Sequence, residues 1–183
     1  MYIMSKIVKY RWSDMMLKKL LPFFIVGILI SVIVIVFLSL AKNQNMTVVH
    51  EGNLERLPID MKLNKYQDSD CGMVIEDLEH ASQVVAVNGK TWFFHDHGGF
   101  VNWLKDKDFK NDVVIWVMAK DTKKWISAKE AHYSLTDETP MGYGFAAYEI
   151  KSDKMIDYDT MTLKMLRGET MNNPQIRKQL LGQ

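Results

Sequence analysis

Cys71 and Met73 set a thiol and a thioether two residues apart across Gly72, a residue flexible enough to let both sulfurs swing toward one point. Soft ligands of this kind favour Cu(I) over oxygen-loving ions, and a zinc site normally draws four ligands from Cys, His and carboxylate. The pair therefore leans toward monovalent copper. With one cysteine and 13 methionines in 183 residues, a Cys packed beside a core Met explains the same pair. Cys71 is thus open to three readings: a small buried residue, a reactive thiol or a metal ligand. No partner exists for an internal disulfide, and no Cys-x-x-Cys supports thiol–disulfide turnover within the chain.

His95-Asp96-His97 is the second chemical cluster. If a strand runs through it, both imidazoles face one way and add a copper ligand; if a helix starts there, the same residues cap it, and capping is the preferred reading. His80 and His132 read as ordinary surface or half-buried histidines, and His50 belongs to a stalk. Met155, Met161, Met165 and Met171 contain one i, i+4 pair, which suits helical packing better than a copper-gathering arm. There is no phosphate-binding glycine loop, dinucleotide fingerprint or serine nucleophile elbow, so the chain reads as non-enzymatic.

Position in the cell follows from Leu20 to Ala41, 22 residues without a charge that span about 33 Å as a helix, enough to cross a bilayer. Lys6, Lys9, Arg11, Lys18 and Lys19 precede it against Asp14 alone, which places residues 1–19 in the cytoplasm and everything from residue 42 outside. A cleaved signal peptide is the competing reading, since Ser39-Leu40-Ala41 resembles a cleavage site. The apolar run exceeds the roughly 7–15 residues of a signal core, so an uncleaved single-pass anchor is preferred. The net charge of +1 hides a split: residues 43–183 hold 17 Lys/Arg against 21 Asp/Glu. A mildly acidic body without a basic stripe argues against nucleic acid as a partner and leaves the membrane as the evident one.

Residues 42–60, polar and broken by Gly52 and Pro58, read as a stalk; residues 61–150 form the domain, and residues 151–183 a loosely docked helical tail broken near Gly168 and Pro174. Within the domain, strands are predicted over Met73–Ile75 and Ala81–Val87, then a two-residue Asn88-Gly89 hairpin turn into Lys90–Phe94. After a Gly98-Gly99 break, Phe100, Val101 and Leu104 predict a helix to about Lys107. Val113–Met118 and Lys124–Ser127 predict a second hairpin. The class is α+β, with helices on an antiparallel sheet.

Cys71-Gly72-Met73 is followed by Glu79-His80-Ala81-Ser82-Gln83, by Gly89 with its aromatic strand, by Trp125-Ile126-Ser127-Ala128 before a helix-like Ala131-His132-Tyr133, and by Thr139-Pro140-Met141-Gly142-Tyr143-Gly144-Phe145-Ala146-Ala147-Tyr148. From about Asp70 to Glu149 this resembles the NosL family, exported copper-binding accessory proteins for maturation of the catalytic copper site of nitrous oxide reductase. The resemblance implies a periplasmic domain of two ββαβ-like units related to the organomercurial-lyase architecture, anchored in the inner membrane. It implies one Cu(I) held by Cys71, Met73 and Met141, and nitrous oxide reductase or its membrane maturation machinery as partner. Lyase chemistry does not carry over, because it relies on a cysteine pair. Pro140, Gly142 and Gly144 add a physical argument for Met141, fixing its loop and letting it pass close to another element. His95-Asp96-His97 departs from the family pattern. The rival reading is an exported thiol-based redox or metal-sensing protein acting through Cys71.

Overall fold

The computed structural model describes residues 20–39 and 46–182. The stretch 1–19 with its lysines, expected in the cytoplasm, the last two residues of the apolar run and the start of the expected stalk lie outside the described residues. Leu20–Ser39 forms helix α1, long and apolar enough to cross a membrane, as a signal sequence also is. The Ser31 hydroxyl donates to the Gly27 carbonyl at 2.8 Å, so this helix carries its polar side chain without an outside partner. Chain contacts separate it from a second unit that begins at Met46.

That unit is built on a five-stranded antiparallel sheet. Its strands are β1 (Val49–His50), β2 (Ser82–Val85), β3 (Thr91–Phe94), β4 (Val114–Met118) and β5 (Trp125–Ser127), in the order β1-β3-β2-β4-β5. All four residues of the central β2 are buried, because both faces of the sheet are covered. Register explains the division: Val84 pairs with Trp92 and Ile115 on one face, while Gln83 pairs with Phe93 and Trp116 on the other. The first face packs Val84, Phe94, Ile115 and Val117 against α2 (His97–Leu104), the two-stranded sheet of β6 (His132–Tyr133) and β7 (Ala147–Tyr148), and α3 (Tyr158–Leu166). The second face buries Phe93 with Met61 and Ile75, and Ile59, Tyr66, Leu78 and Trp125 close around them.

This second face corrects the stalk. Residues 46–60 belong to the globular unit: β1 pairs with β3, the Gln83 amide bonds both N–H and C=O of Ile59 at 2.8 Å, and the Trp116 indole donates to the Arg56 carbonyl. The physical reason is that Phe93, Trp116 and Trp125 form an apolar sheet face that must be covered, and this polar-looking segment covers it. Met73–Ile75 is likewise no strand; Val74 makes a single bridge to Gln67. The first hairpin is present, with a three-residue loop, Val87-Asn88-Gly89, closed by bonds between Ala86 and Gly89 and between Ala86 and Lys90. Gly89 takes the positive φ of 77° that such a loop requires.

The Gly-Gly pair does not precede α2 but lies in its first turn, and Asp96 is the cap, its side chain accepting from the Gly98 N–H at 3.0 Å. The strand β2, strand β3, helix α2 and strand β4 make one ββαβ unit. The second hairpin, β4–β5, widens that same sheet instead of opening a second unit. After it come β6, β7, α3 and α4 (Pro174–Leu181), with no closing strand among the described residues. Ala131-His132-Tyr133, expected as helical, enters β6: Tyr133 is wholly buried and pairs across to Ala147. Nor is residue 151 onward loosely docked throughout. Met161 of α3 is fully buried in the main core, which removes it from any copper-gathering arm, although the breaks at Gly168 and Pro174 are where the helices end and begin.

Candidate metal centre

Cys71 stands on a loop organised by a neighbour three residues before it. Asp68, 2% exposed, accepts from the Asp70 N–H at 2.7 Å and the Cys71 N–H at 3.0 Å through Oδ1. Through Oδ2 it accepts from the His95 N–H at 2.8 Å and contacts His95 Nδ1 at 2.6 Å. One carboxylate thus ties the cysteine loop to the residue that follows β3, 27 positions away. Burial opposes its charge, but the His95 side chain and the Cys71, His95 and Asp70 amides outweigh burial and hold the carboxyl below its usual range.

The result is a group able to hold a metal ion: Asp68, Cys71 and His95, with ligand atoms all within 4.8 Å of one another. Cys71 Sγ lies 3.8 Å from His95 Nδ1, about the separation of a sulfur at 2.3 Å and a nitrogen at 2.0–2.1 Å from one ion at a trigonal angle. The 2.6 Å between Asp68 and Nδ1 is a hydrogen-bond length, shorter than the roughly 3.4 Å between two light ligand atoms on a tetrahedral ion. Asp68 and an ion beside Cys71 thus address the same nitrogen: with an ion on Nε2, Asp68 would be the orienting carboxylate through Nδ1, whereas the 3.8 Å separation would serve an ion on Nδ1. His95 Nε2 is buried without a partner, so the ring keeps one nitrogen free while the other leans on Asp68. An ion at Nδ1 displaces the proton shared with Asp68; an ion at Nε2 leaves it in place.

Cys71 itself is exposed at the mouth of this group. Partial burial of the sulfur, with the Asp68 and Asp70 charges added, pushes the thiol up against a lowering bond from the Met73 backbone. The thiol thus holds its proton more firmly than a free cysteine does. Met73 is on the same loop and 46% exposed, Gly72 between them taking φ 77°. Met141 is half-buried, and its N–H donates to Asp96 Oδ2 at 2.9 Å, one residue from His95. Tyr143, on the same loop, feels the charges of Asp70, Asp96, Cys71 and Asp68, which add to burial in raising its hydroxyl.

The structure parts His95 from His97. β3 ends at Phe94, so the two do not share a strand face: His95 turns toward Cys71, and His97 enters the core with no exposure, its Nδ1 2.7 Å from Ser82 Oγ. His80 lies beside it, ring centroids 6.2 Å apart, and is buried rather than on the surface. Burial lowers both histidines, His97 to about 3. In the unfolded chain His97 protonates near 6.5, so folding stability falls as pH drops below that value, by about 1.4 kcal/mol per unit. Asp68, with its lowered carboxyl, acts in the same sense at lower pH; buried Asp96, raised by desolvation, acts in the opposite sense above the ordinary aspartate value. Metal-free protein in detergent should lose about 1 kcal/mol between pH 7.0 and 5.5 in urea unfolding. His97→Gln should flatten that slope, and a wild-type profile that is already flat would contradict the assignment.

Sequence reasoning singled out Cys71 and His95 but not Asp68. Its signal was present in Asp68-Ser69-Asp70-Cys71, where an aspartate two and three residues before amides is the pattern of a side chain closing a turn on its own backbone. A scan against protein-family models and a search of curated proteins both return no match for this chain.

Proposed function

We propose that this chain is an exported, membrane-anchored carrier that holds one Cu(I) ion as cargo. It releases the ion for assembly of the catalytic copper site of nitrous oxide reductase, directly or through that enzyme's membrane maturation machinery, and it turns over no substrate. In this reading the N-terminus is cytoplasmic and the unit from Met46 onward is periplasmic. Cys71, Met73 and Met141 supply sulfur, and His95 adds a nitrogen. The observation that carries the reading is the exposed Cys71 thiol set 3.8 Å from an imidazole that a buried carboxylate holds in place. A thiolate and an imidazole suit copper, and a ligand at the surface leaves room for an acceptor's ligands to approach. Anchoring raises the carrier's effective concentration near other membrane components.

The thiol-sensor reading is weaker on physical grounds. A nucleophilic sensor needs thiolate at neutral pH, and the environment of Cys71 moves the thiol the other way. Anaerobic competition titration of the full chain in detergent separates the two. One Cu(I) per chain is expected, lost in Cys71→Ser and weakened in Met73→Leu, Met141→Leu and His95→Phe. Equal binding by all variants would sink the copper reading.

A further inference from the structure

The loop from Thr139 to Gly144 closes on itself through the Gly142 N–H and the Thr139 carbonyl at 2.9 Å, so its local shape needs no outside help. Outside help is nevertheless applied on both sides of Met141. Its N–H donates to Asp96 Oδ2, and its carbonyl accepts from Asn172 Nδ2 at 2.7 Å. These partners stand 45 and 31 residues away, one capping α2 and the other in the turn between α3 and α4. The same C-terminal turn adds the Met171 N–H, which donates to the Tyr143 carbonyl at 3.1 Å.

Close approach is written into two glycines. Gly142 sits at φ 69°, and a Cβ there would collide with Asn172 Oδ1; a Cβ on Gly98 would collide with the Tyr143 ring, which is seated on the first turn of α2. Two long-range bonds on one residue's backbone fix where an already closed turn points. Met141 keeps its side chain half-exposed while its main chain is immobilised from both ends.

We infer that Asn172 is a positioning residue for Met141, and that the C-terminal turn holds the thioether in the direction from which it engages the metal. This rests on the reading of Met141 as a ligand. With the backbone held, ion capture orders only the side-chain torsions, and an outer partner of this kind typically changes metal affinity about 10–100-fold.

The test is a double-mutant cycle on the full chain, read by anaerobic Cu(I) competition and by the rate of Cu(I) loss to excess chelator, with Asn172→Ala, Met141→Leu and the double variant. Asn172 is exposed and Asn173, the cap of α4, is untouched, so the fold should survive; melting curves check it. Expected is about tenfold weaker binding and faster loss in Asn172→Ala, a larger loss in Met141→Leu, and no further loss in the double variant. If Met141→Leu weakens binding and Asn172→Ala does not, the positioning role is overturned and the ligand reading stands. If the two effects simply add, Asn172 acts through general stability and the proposal fails. If Met141→Leu changes nothing, the ligand reading fails and takes this one with it.

Discussion

Asp68→Ala should unfold in urea with a loss on the order of 3 kcal/mol or more, and the surviving folded protein should bind Cu(I) about 10–100-fold more weakly. Four donors converge on this one side chain, three of them main-chain amides, and the His95 pair is buried. Alanine leaves those donors without acceptors, and a buried unpaired donor costs about 1–3 kcal/mol. Metal affinity falls for a separate reason: the cysteine loop and His95 lose the common acceptor that sets them 3.8 Å apart. Asparagine keeps the shape but rescues little. Whichever way its amide sits, its NH2 meets N–H donors where a carboxylate oxygen had been. Urea titration and chelator competition on both variants check this, and an Asp68→Ala protein within 0.5 kcal/mol of the parent would refute the account.

Gly144→Ala should be comparably damaging at a site that carries no ligand. Gly144 sits at φ 91°, and an added Cβ would lie 2.6 Å from the Leu135 carbonyl oxygen and 2.5 Å from Met171 Cγ. The side chain of Met171 can turn aside, but the Leu135 main chain cannot without breaking the ladder between Ser134 and Ala146. Strain at positive φ and overpacking together predict on the order of 3 kcal/mol. Calorimetry should show a melting point many degrees lower, with the Met141 loop displaced. A normal melting curve would mean that the loop and Leu135 separate more easily than their contact implies.

How much of this was legible beforehand differs by scale. The α+β class, the apolar helix, the Asn88-Gly89 hairpin and the pairing of β4 with β5 all rest on local pattern, which the chain states plainly. Cys71 and His95 were visible as residue types. Their meeting was not, because it depends on one aspartate accepting amides from two segments. The stalk was misjudged because residues 46–60 lack periodicity, yet they supply backbone groups to Gln83 and Trp116 instead of an apolar face. Gly98-Gly99 looked like punctuation; tertiary crowding by Tyr143 is what keeps a glycine inside a helix there. His97 is the opposite case, a polar residue taken into the core because Ser82 offers it a partner.

The brevity of β1 has a mechanical consequence. Its two residues pair with Trp92 and Thr91 at the margin of the sheet, and the next firm attachments on its C-terminal side are those of Asn53, Arg56 and Ile59. With only two rungs there, tension applied at Met46 would fall first on the bonds that precede them: the Thr47 N–H donates to the Lys65 carbonyl at 2.9 Å, its carbonyl accepts from the Gln67 N–H at 3.0 Å, and the Val48 carbonyl accepts from the Ser69 hydroxyl at 3.2 Å. Gln67 and Ser69 flank Asp68, so the load would arrive directly at the segment that organises the loop of Cys71. A pull at Met46 would thus act as a lever on the carboxylate of Asp68 rather than being absorbed by β1.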